Sequence, residues 1–254
     1  MRILLSPAKK MKIDRDTLEV GGLPVLLERT QEILEWLQGK SDEELQRLWK
    51  CNDKIARENV ERLRGMQLYK ELTPAILSYV GLAFQYMAPA VFEDGQLSYI
   101  EKHLRILSGF YGVLRPMDGV TPYRLEMQAK ASVGGSRDLY DFWGRSLYEQ
   151  VRSVDGVFIN LASGEYSSCI ERWIEPEDTY ITCVFAEEVN GKMVQKGTYA
   201  KMARGEMVRF MAEHRIEAPE DMKRFDRLGF VFREDLSDHK EYVFERRLEK
   251  EKSF

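Results

Sequence analysis

Hydrophobic and polar positions follow two rhythms along this chain, a helical one in the first half and an alternating one in the second. Arg2 to Leu5 is a short apolar run stopped by Ser6-Pro7, which predicts a buried strand. Leu26, Leu27, Ile33, Leu34 and Leu37 recur at helical spacing and end near Gly39. Ser41 followed by Glu44 is a capping-box pattern that opens a second helix, and Asp53 to Leu63 gives a third. Thr73-Pro74 reads as the N-cap and first position of a fourth. After a turn at Asp94-Gly95, Leu97, Ile100, Leu104 and Leu107 predict a helix that runs out at Gly109. Gly109 to Tyr123 loses its period and reads as a structured connection, and Asp138 to Val151 is helical again.

From Gly156 onward β-branched and aromatic residues take over. Gly156 to Leu161 predicts a strand. Thr179 to Val189 and Lys192 to Tyr199 flank Asn190-Gly191, the strongest short hairpin signal in the chain. Tyr199 to His214 reads as a helix, and Phe230 to Phe232 with Tyr242 to Phe244 as a last strand pair. The expected fold is one domain over residues 1–254, of the mixed α and β (α+β) class. Its N-terminal half is helix-rich, its C-terminal half strand-rich, and it matches no standard superfold. At 254 residues roughly three-quarters of the unfolded surface can be buried, so no staples are needed.

Composition narrows the function classes. No segment approaches the ~18 uninterrupted apolar residues of a membrane span, and Ile3-Leu4-Leu5 is too short for a signal-peptide core. A cytosolic protein without membrane contact is the expectation. Cys51, Cys169 and Cys183 form no C-x-x-C pair and suit reduced thiols. One could be a redox sensor, but burial as small apolar residues is the favoured reading. His103, His214 and His239 are scattered, so neither a metal nor a cofactor is expected. A net charge of −4 argues against a simple polycation, yet charge is unevenly placed. Acidic residues crowd 28 to 46, while cations gather at Lys9, Lys10 and Lys12, at Arg105, Arg115 and Arg124, and at Lys196, Lys201, Arg204 and Arg209.

Five places could carry chemistry. Leu4-Leu5 runs into Ser6-Pro7-Ala8-Lys9, and Ile159-Asn160-Leu161 into Ala162-Ser163-Gly164-Glu165. Ligands collect beyond strand carboxyl ends and at helix starts, so in one sheet Lys9, Asn160 and Glu165 would converge on one cleft. The run from His103 to Pro116 holds Gly109-x-x-Gly112 between Arg105 and Arg115, a spacing like the hairpin of helix-hairpin-helix modules. From these residues alone a glycine cap packed on Phe110 and Tyr111 is the stronger reading. Pro122 to Met127 puts Arg124 and Glu126 on one face if extended, as an ion pair or a phosphate clamp. Leu139 to Gly144 is aromatic-rich, better suited to core than to base stacking. Lys201 and Arg204 are surface neighbours on a helix, either a solvated face or a groove's basic stripe.

Ser6-Pro7-Ala8-Lys9, the His103 to Asp118 block, Pro122 to Met127, Leu139 to Gly144, Asn160 to Tyr166 and Ala203-Arg204-Gly205 with Met207 together resemble the YaaA family of bacterial peroxide stress resistance proteins. The resemblance runs from about Leu4 to about Arg246. It implies a role in surviving peroxide, connected with intracellular iron. It also implies binding of DNA, including distorted duplex, through a positive cleft and a helix-hairpin-helix-like element. On matching positions the nucleic-acid-binding set is Lys9, Arg105, Gly109, Gly112, Arg115, Arg124, Lys201 and Arg204. Three positions depart from the family's habit: Asn52 for serine, Gln128 for glycine and Phe230 for tyrosine.

Three functions compete. The first is a non-catalytic DNA binder in oxidative-stress defence, with DNA as partner and no protein partner inferable. The second is an enzyme acting on a nucleotide, nucleobase or nucleic acid, with Lys9, Glu126, Asn160, Glu165 and Lys201 as candidate catalytic groups. The third is direct iron handling by carboxylates, against which the scattered His and Cys count.

Overall fold

The strand that opens the chain, Arg2–Leu5 (β1), stands in the middle of an eight-stranded sheet. The computed structural model describes residues 1–247. Its other strands are Lys10–Met11 (β2), Thr73–Pro74 (β3), Tyr79–Val80 (β4), Leu104–Ser108 (β5), Gly112–Leu114 (β6), Gly119–Val120 (β7), Val157–Leu161 (β8), Thr179–Val189 (β9), Lys192–Val194 (β10), Phe230–Phe232 (β11) and Glu241–Arg246 (β12). The sheet runs β11-β12-β9-β8-β1-β5-β6, with β10 paired to β9. β12, β9, β8, β1 and β5 are mutually parallel, and the pairings at the margins, of β6, β10 and β11, are antiparallel. Ile3 lies level with Leu104 on one side and Ile159 on the other. All five residues of β5 are buried, as expected of a parallel strand covered on both faces.

The α-helices are Leu27–Gln38 (α1), Asp42–Trp49 (α2), Asp53–Arg64 (α3), Ala75–Ser78 (α4), Leu82–Met87 (α5), Asp94–His103 (α6), Leu139–Trp143 (α7), Ser146–Val151 (α8), Gly164–Glu171 (α9) and Gly197–His214 (α10). The capping box at Ser41 and Glu44 forms as expected. Asn52, one of the departures from the family habit, caps α3 by accepting the Ile55 N–H at 3.0 Å, so it does the work of a serine. One hydrophobic core runs from Met1 to Phe244. Among the described residues no helix is long and apolar enough to cross a membrane.

The mixed α and β class holds, although β1 and β5 come from the helical half and supply the middle of the sheet. Four boundaries differ from the sequence reading. The helix expected to run to Gly109 ends at His103, and Leu104 to Ser108 is a strand. Its apolar run serves either period, and pairing of Leu104 and Ile106 with Ile3 and Leu5 decides for the strand. The single helix expected over 138–151 is broken at Gly144, whose φ of 52° no helix accepts. Thr73-Pro74 pairs with β7 before the helix begins at Ala75. The second hairpin strand stops at Val194, because α10 has already begun at Gly197.

From β1 the chain crosses to β5 on one side, whereas from β8 it proceeds to β9 on the other. The space beyond the carboxyl ends of β1 and β8 is therefore a topological switch point, where parallel sheets open a crevice.

Candidate ligand cleft at the carboxyl ends of β1 and β8

A cleft of about 370 Å³ occupies that crevice. The loops leaving the two strands are tied together on its floor. Ser6 Oγ accepts the Ser163 N–H at 2.8 Å and lies 3.1 Å from Ser163 Oγ. Ser163 precedes α9, and the N–H groups of Gly164 and Glu165 come before any acceptor inside that helix, so its positive end faces the cleft. One wall is Val80 to Phe84, held against the first loop by pairing of Lys10 with Val80. The opposite wall is the extended segment Tyr123 to Glu126, and Lys201 and Arg204 enter from α10.

Packing fixes these walls closely. A Cβ on Gly205 would lie 1.9 Å from the Ala83 carbonyl oxygen, so only glycine lets α10 lie this close to α5. Beneath the cleft Tyr79, Tyr123 and Ser108 form a hydroxyl chain at 2.9 and 2.7 Å. Ser108 Oγ also accepts the N–H groups of Phe110 and Tyr111 at 3.2 and 2.9 Å.

Five basic and two acidic side chains line the space: Lys9, Lys10, Arg124, Lys201 and Arg204 against Glu126 and Glu165. Lys9 Nζ meets Glu126 Oε2 at 2.9 Å, with Lys9 two-thirds exposed, an ion pair worth no more than about 1 kcal/mol. Arg124 Nη2 stands 4.0 Å from Glu126 Oε1, so the pair does share one face. Neither Arg124 Nε nor Arg204 Nε touches solvent, and neither has a hydrogen-bond acceptor among the described residues. Desolvation lowers the pKa of Arg204, partly offset by the Cys183 thiol. Desolvation raises that of Glu165; the Gln128 N–H, donated at 3.3 Å, and Lys9 work in the other direction, while Glu126 adds to the rise. Such orphaned guanidinium donors in a concave site are what an anionic ligand would satisfy.

The convergence expected from the two strand ends is therefore present for Lys9 and Glu165, joined by Glu126, Arg124, Lys201 and Arg204. Asn160 lies one step below. It is buried, with Oδ1 accepting the Ala162 N–H at 2.9 Å and Nδ2 donating to Thr182 Oγ1 at 3.3 Å, so it shapes the turn. Arg105 and Arg115 are elsewhere, grouped with Arg2, Glu101 and Asp118, and neither lines the cleft. Arg105 is itself buried, donating to the Glu101 and Leu104 carbonyls, and desolvation lowers its pKa to about 10.

The Gly109 to Gly112 segment is not a helix-hairpin-helix. It is the turn of the β5–β6 hairpin, with Phe110 and Tyr111 fully buried and their N–H groups already donated to Ser108. A Cβ on Gly109 would come within 2.8 Å of the Leu125 carbonyl oxygen, and Gly112 has φ +74° amid Leu26, Trp143 and Leu147. Both glycines serve packing. So do Leu139, Phe142 and Trp143, which are core as expected. Cys169 and Cys183 are buried too, and desolvation pushes their thiols up to about 12. The sequence reading missed the Val80 to Phe84 wall, whose apolar residues carry no chemical signature, and the Ser6–Ser163 tie, which exists only once β1 and β8 are neighbours.

Comparison with known proteins places this architecture. The family model described as "Peroxide stress protein YaaA" matches residues 1–236. A UPF0246 protein of Agathobacter rectalis is 60% identical over 248 residues, covering 98% of this chain and 100% of its own. Another from Lachnoclostridium phytofermentans is 52% identical over 244 residues, covering 96% of each chain. A third, from Desulfitobacterium hafniense, is also 52% identical, covering 96% of this chain and 97% of its own. With a family model over nearly all of its length and relatives this similar, the chain belongs to the YaaA family of peroxide stress proteins.

Proposed function

We propose that this protein serves peroxide defence by binding DNA where a nucleotide is unpaired, seating one phosphate-bearing unit in the cleft beyond β1 and β8. The observation that carries this reading is the pair of arginines, Arg124 and Arg204, each with an Nε–H withdrawn from water and lacking an acceptor among the described residues. A phosphate supplies a compensating charge, and its oxygens an acceptor once the guanidinium turns further into the cleft. Lys9, Lys10, Lys201 and the start of α9 add to the same field. A volume of about 370 Å³ lies at the small end of ligand sites and suits one nucleotide, not a duplex. Extruding that nucleotide costs a few kcal/mol from intact duplex and least where pairing is already lost, which gives a preference for distorted or damaged DNA.

Arg204→Met and Arg124→Met test this, since methionine keeps the apolar stem and removes the charge. A charge-assisted hydrogen bond is worth about 1.5–3 kcal/mol, so each variant should bind bubbled duplex at least tenfold more weakly. Because neither Nε has an acceptor among the described residues, thermal stability should hold or rise. Unchanged binding would place the DNA elsewhere.

A second reading, chemistry on the bound nucleotide, is favoured by Glu165. A carboxyl whose pKa is raised by burial, in one cleft with a lysine and a second carboxylate, is suited to general acid catalysis. Glu165→Gln should then abolish product formation from a nucleotide or oligonucleotide while leaving binding intact. No product with wild-type protein would end this reading.

A further inference from the structure

Large apolar side chains left in water gather on one part of this protein's surface. Ten stand exposed among the described residues, and five of them, Ile13, Val20, Leu23, Val25 and Tyr69, fall in the 13–25 segment and the loop after α3. Single exposed apolar residues need no explanation, whereas a gathering of this kind marks an interaction surface. The two stretches are joined. The Asp14 N–H is donated to Thr73 Oγ1 at 3.0 Å, Arg15 Nη2 meets Glu71 Oε2 at 3.1 Å, and Val20 and Leu72 close together over Gly119.

Between them is an open bowl of about 430 Å³, larger than the cleft and sharing no lining residue with it. Thr121 and Pro122 line the bowl, and Tyr123 and Arg124, next in the chain, line the cleft. The bowl carries Arg15, Arg62 and Lys70 against one carboxylate, Glu71. These cations are lightly held. The Arg15–Glu71 pair is exposed on both sides and worth no more than about 1 kcal/mol. Arg62 pairs with Glu58 along its own helix, and Lys70 has no ion-pair partner among the described residues. Tyrosine, methionine and arginine, present here as Tyr69, Met66, Arg15 and Arg62, are residues that protein interfaces favour.

A fitting counterpart stands on the same molecule. Glu28, Glu32 and Glu35 recur at i, i+4 and i+7 on α1, all exposed, and none has an ion-pair partner among the described residues. Leu23 and Val25 precede them, so this stripe is acidic with an apolar tip, as the bowl is basic with an apolar rim. The two patches are neighbours. Gln38 Nε2 donates to the Leu63 carbonyl at 2.9 Å and Arg64 Nη2 to the Lys40 carbonyl at 2.7 Å, which lashes the end of α1 to the end of α3 beside the bowl. A two-fold axis between such neighbours makes each contact twice, bowl to stripe and stripe to bowl.

We propose that this face pairs two copies of the chain, the bowl of each taking the α1 stripe of the other, with Ile13, Val20 and Tyr69 covered between them. The pairing does not depend on what the cleft binds. It braces the Tyr123 to Glu126 wall through Thr121 and Pro122 and leaves the cleft's own lining free.

Sedimentation velocity of the full chain over a concentration series tests this. Wild type should shift from monomer towards dimer as concentration rises, and less so at high salt, which screens the charges. Arg62→Glu with Lys70→Glu should weaken self-association by about tenfold or more, because like charges then meet. Glu28→Lys, Glu32→Lys and Glu35→Lys together should do the same. Mixing the two variants should restore a dimer, since the acidic bowl meets the basic stripe and the untouched patches still match. Thermal melting checks that each variant is folded, and Tyr69→Ala, which alters no charge, should also weaken the pair. A wild type that stays monomeric at every concentration overturns the proposal. So does a dimer indifferent to both charge reversals, or a pair of monomeric variants that do not associate when mixed.

Discussion

Replacing Gly205 by alanine perturbs the fold and the site together, which makes its consequences calculable. The added Cβ would sit 1.9 Å from the Ala83 carbonyl oxygen, 2.7 Å from its carbon and 2.9 Å from its Cα. Ordinary contact begins near 3.4 Å, so α10 must withdraw from α5 by about 1.5 Å. All three neighbours are backbone atoms, and no rotamer change relieves the overlap. Overpacking of this kind costs about 1–3 kcal/mol, with rigid surroundings at the upper end. Alanine regains about 1 kcal/mol of helix propensity, which leaves a net loss of about 2 kcal/mol. For a chain of 254 residues that lowers the melting temperature by about 4–8 °C. Arg204 precedes Gly205 and Lys201 lies one turn earlier, both facing the Leu82 to Phe84 wall that α10 would leave. DNA affinity should therefore fall at temperatures where the variant is still folded. Differential scanning calorimetry measures the first effect and fluorescence anisotropy the second. An unchanged or higher melting temperature would refute the reasoning about this contact.

Gly109→Ala should destabilise by about 2–3 kcal/mol, because its Cβ meets Leu125 and Glu126 backbone at 2.8 and 2.9 Å; a glycine serving only a phosphate would lose binding at unchanged stability in urea titration. Burial raises the Asp118 carboxyl pKa from 3.8 to about 6, so the folded state holds an extra proton between those values and stability falls as pH rises through them. Asp118→Asn keeps an acceptor for the Arg115 N–H and should remove that fall, gaining up to about 3 kcal/mol at pH 8 and little at pH 4, read from paired denaturation curves. A thiol-reactive maleimide at pH 7 should label Cys51 in the native protein, and reach the buried Cys169 and Cys183 only after denaturation, read by mass spectrometry.

Local signals in the sequence carried far where local physics decides. The capping box at Ser41, the Asn190-Gly191 hairpin, the first strand and α10 all lie where their residues say. Failures came where partners decide. Leu104 to Ser108 reads as helix until β1 claims it as a parallel neighbour, and no residue in that stretch announces the pairing. The site followed the same division. Lys9 and Glu165 could be placed together because both follow a strand end, a rule that survives ignorance of the topology. Arg105 could not be told apart from a ligand-binding arginine, since a guanidinium donating to the carbonyls of Glu101 and Leu104 looks in sequence like one free for a ligand. The packed role that the residues alone favoured for Gly109 and Gly112 is the one their surroundings give them, Gly109 through its close approach to the Leu125 carbonyl and Gly112 through its φ of +74°; in sequence, close approach to a phosphate asks for the same residue.

On the proposed function, the cleft holds a phosphate-bearing nucleotide presented by unpaired DNA. Its most direct test is fluorescence anisotropy of wild-type and Arg204→Met protein on matched perfect and bubbled duplexes at two salt concentrations. Binding should be salt-sensitive and tighter on the bubble, with the preference lost in Arg204→Met while the melting temperature is held or raised. Equal affinity for both duplexes in both proteins, or no binding at low salt, would contradict it.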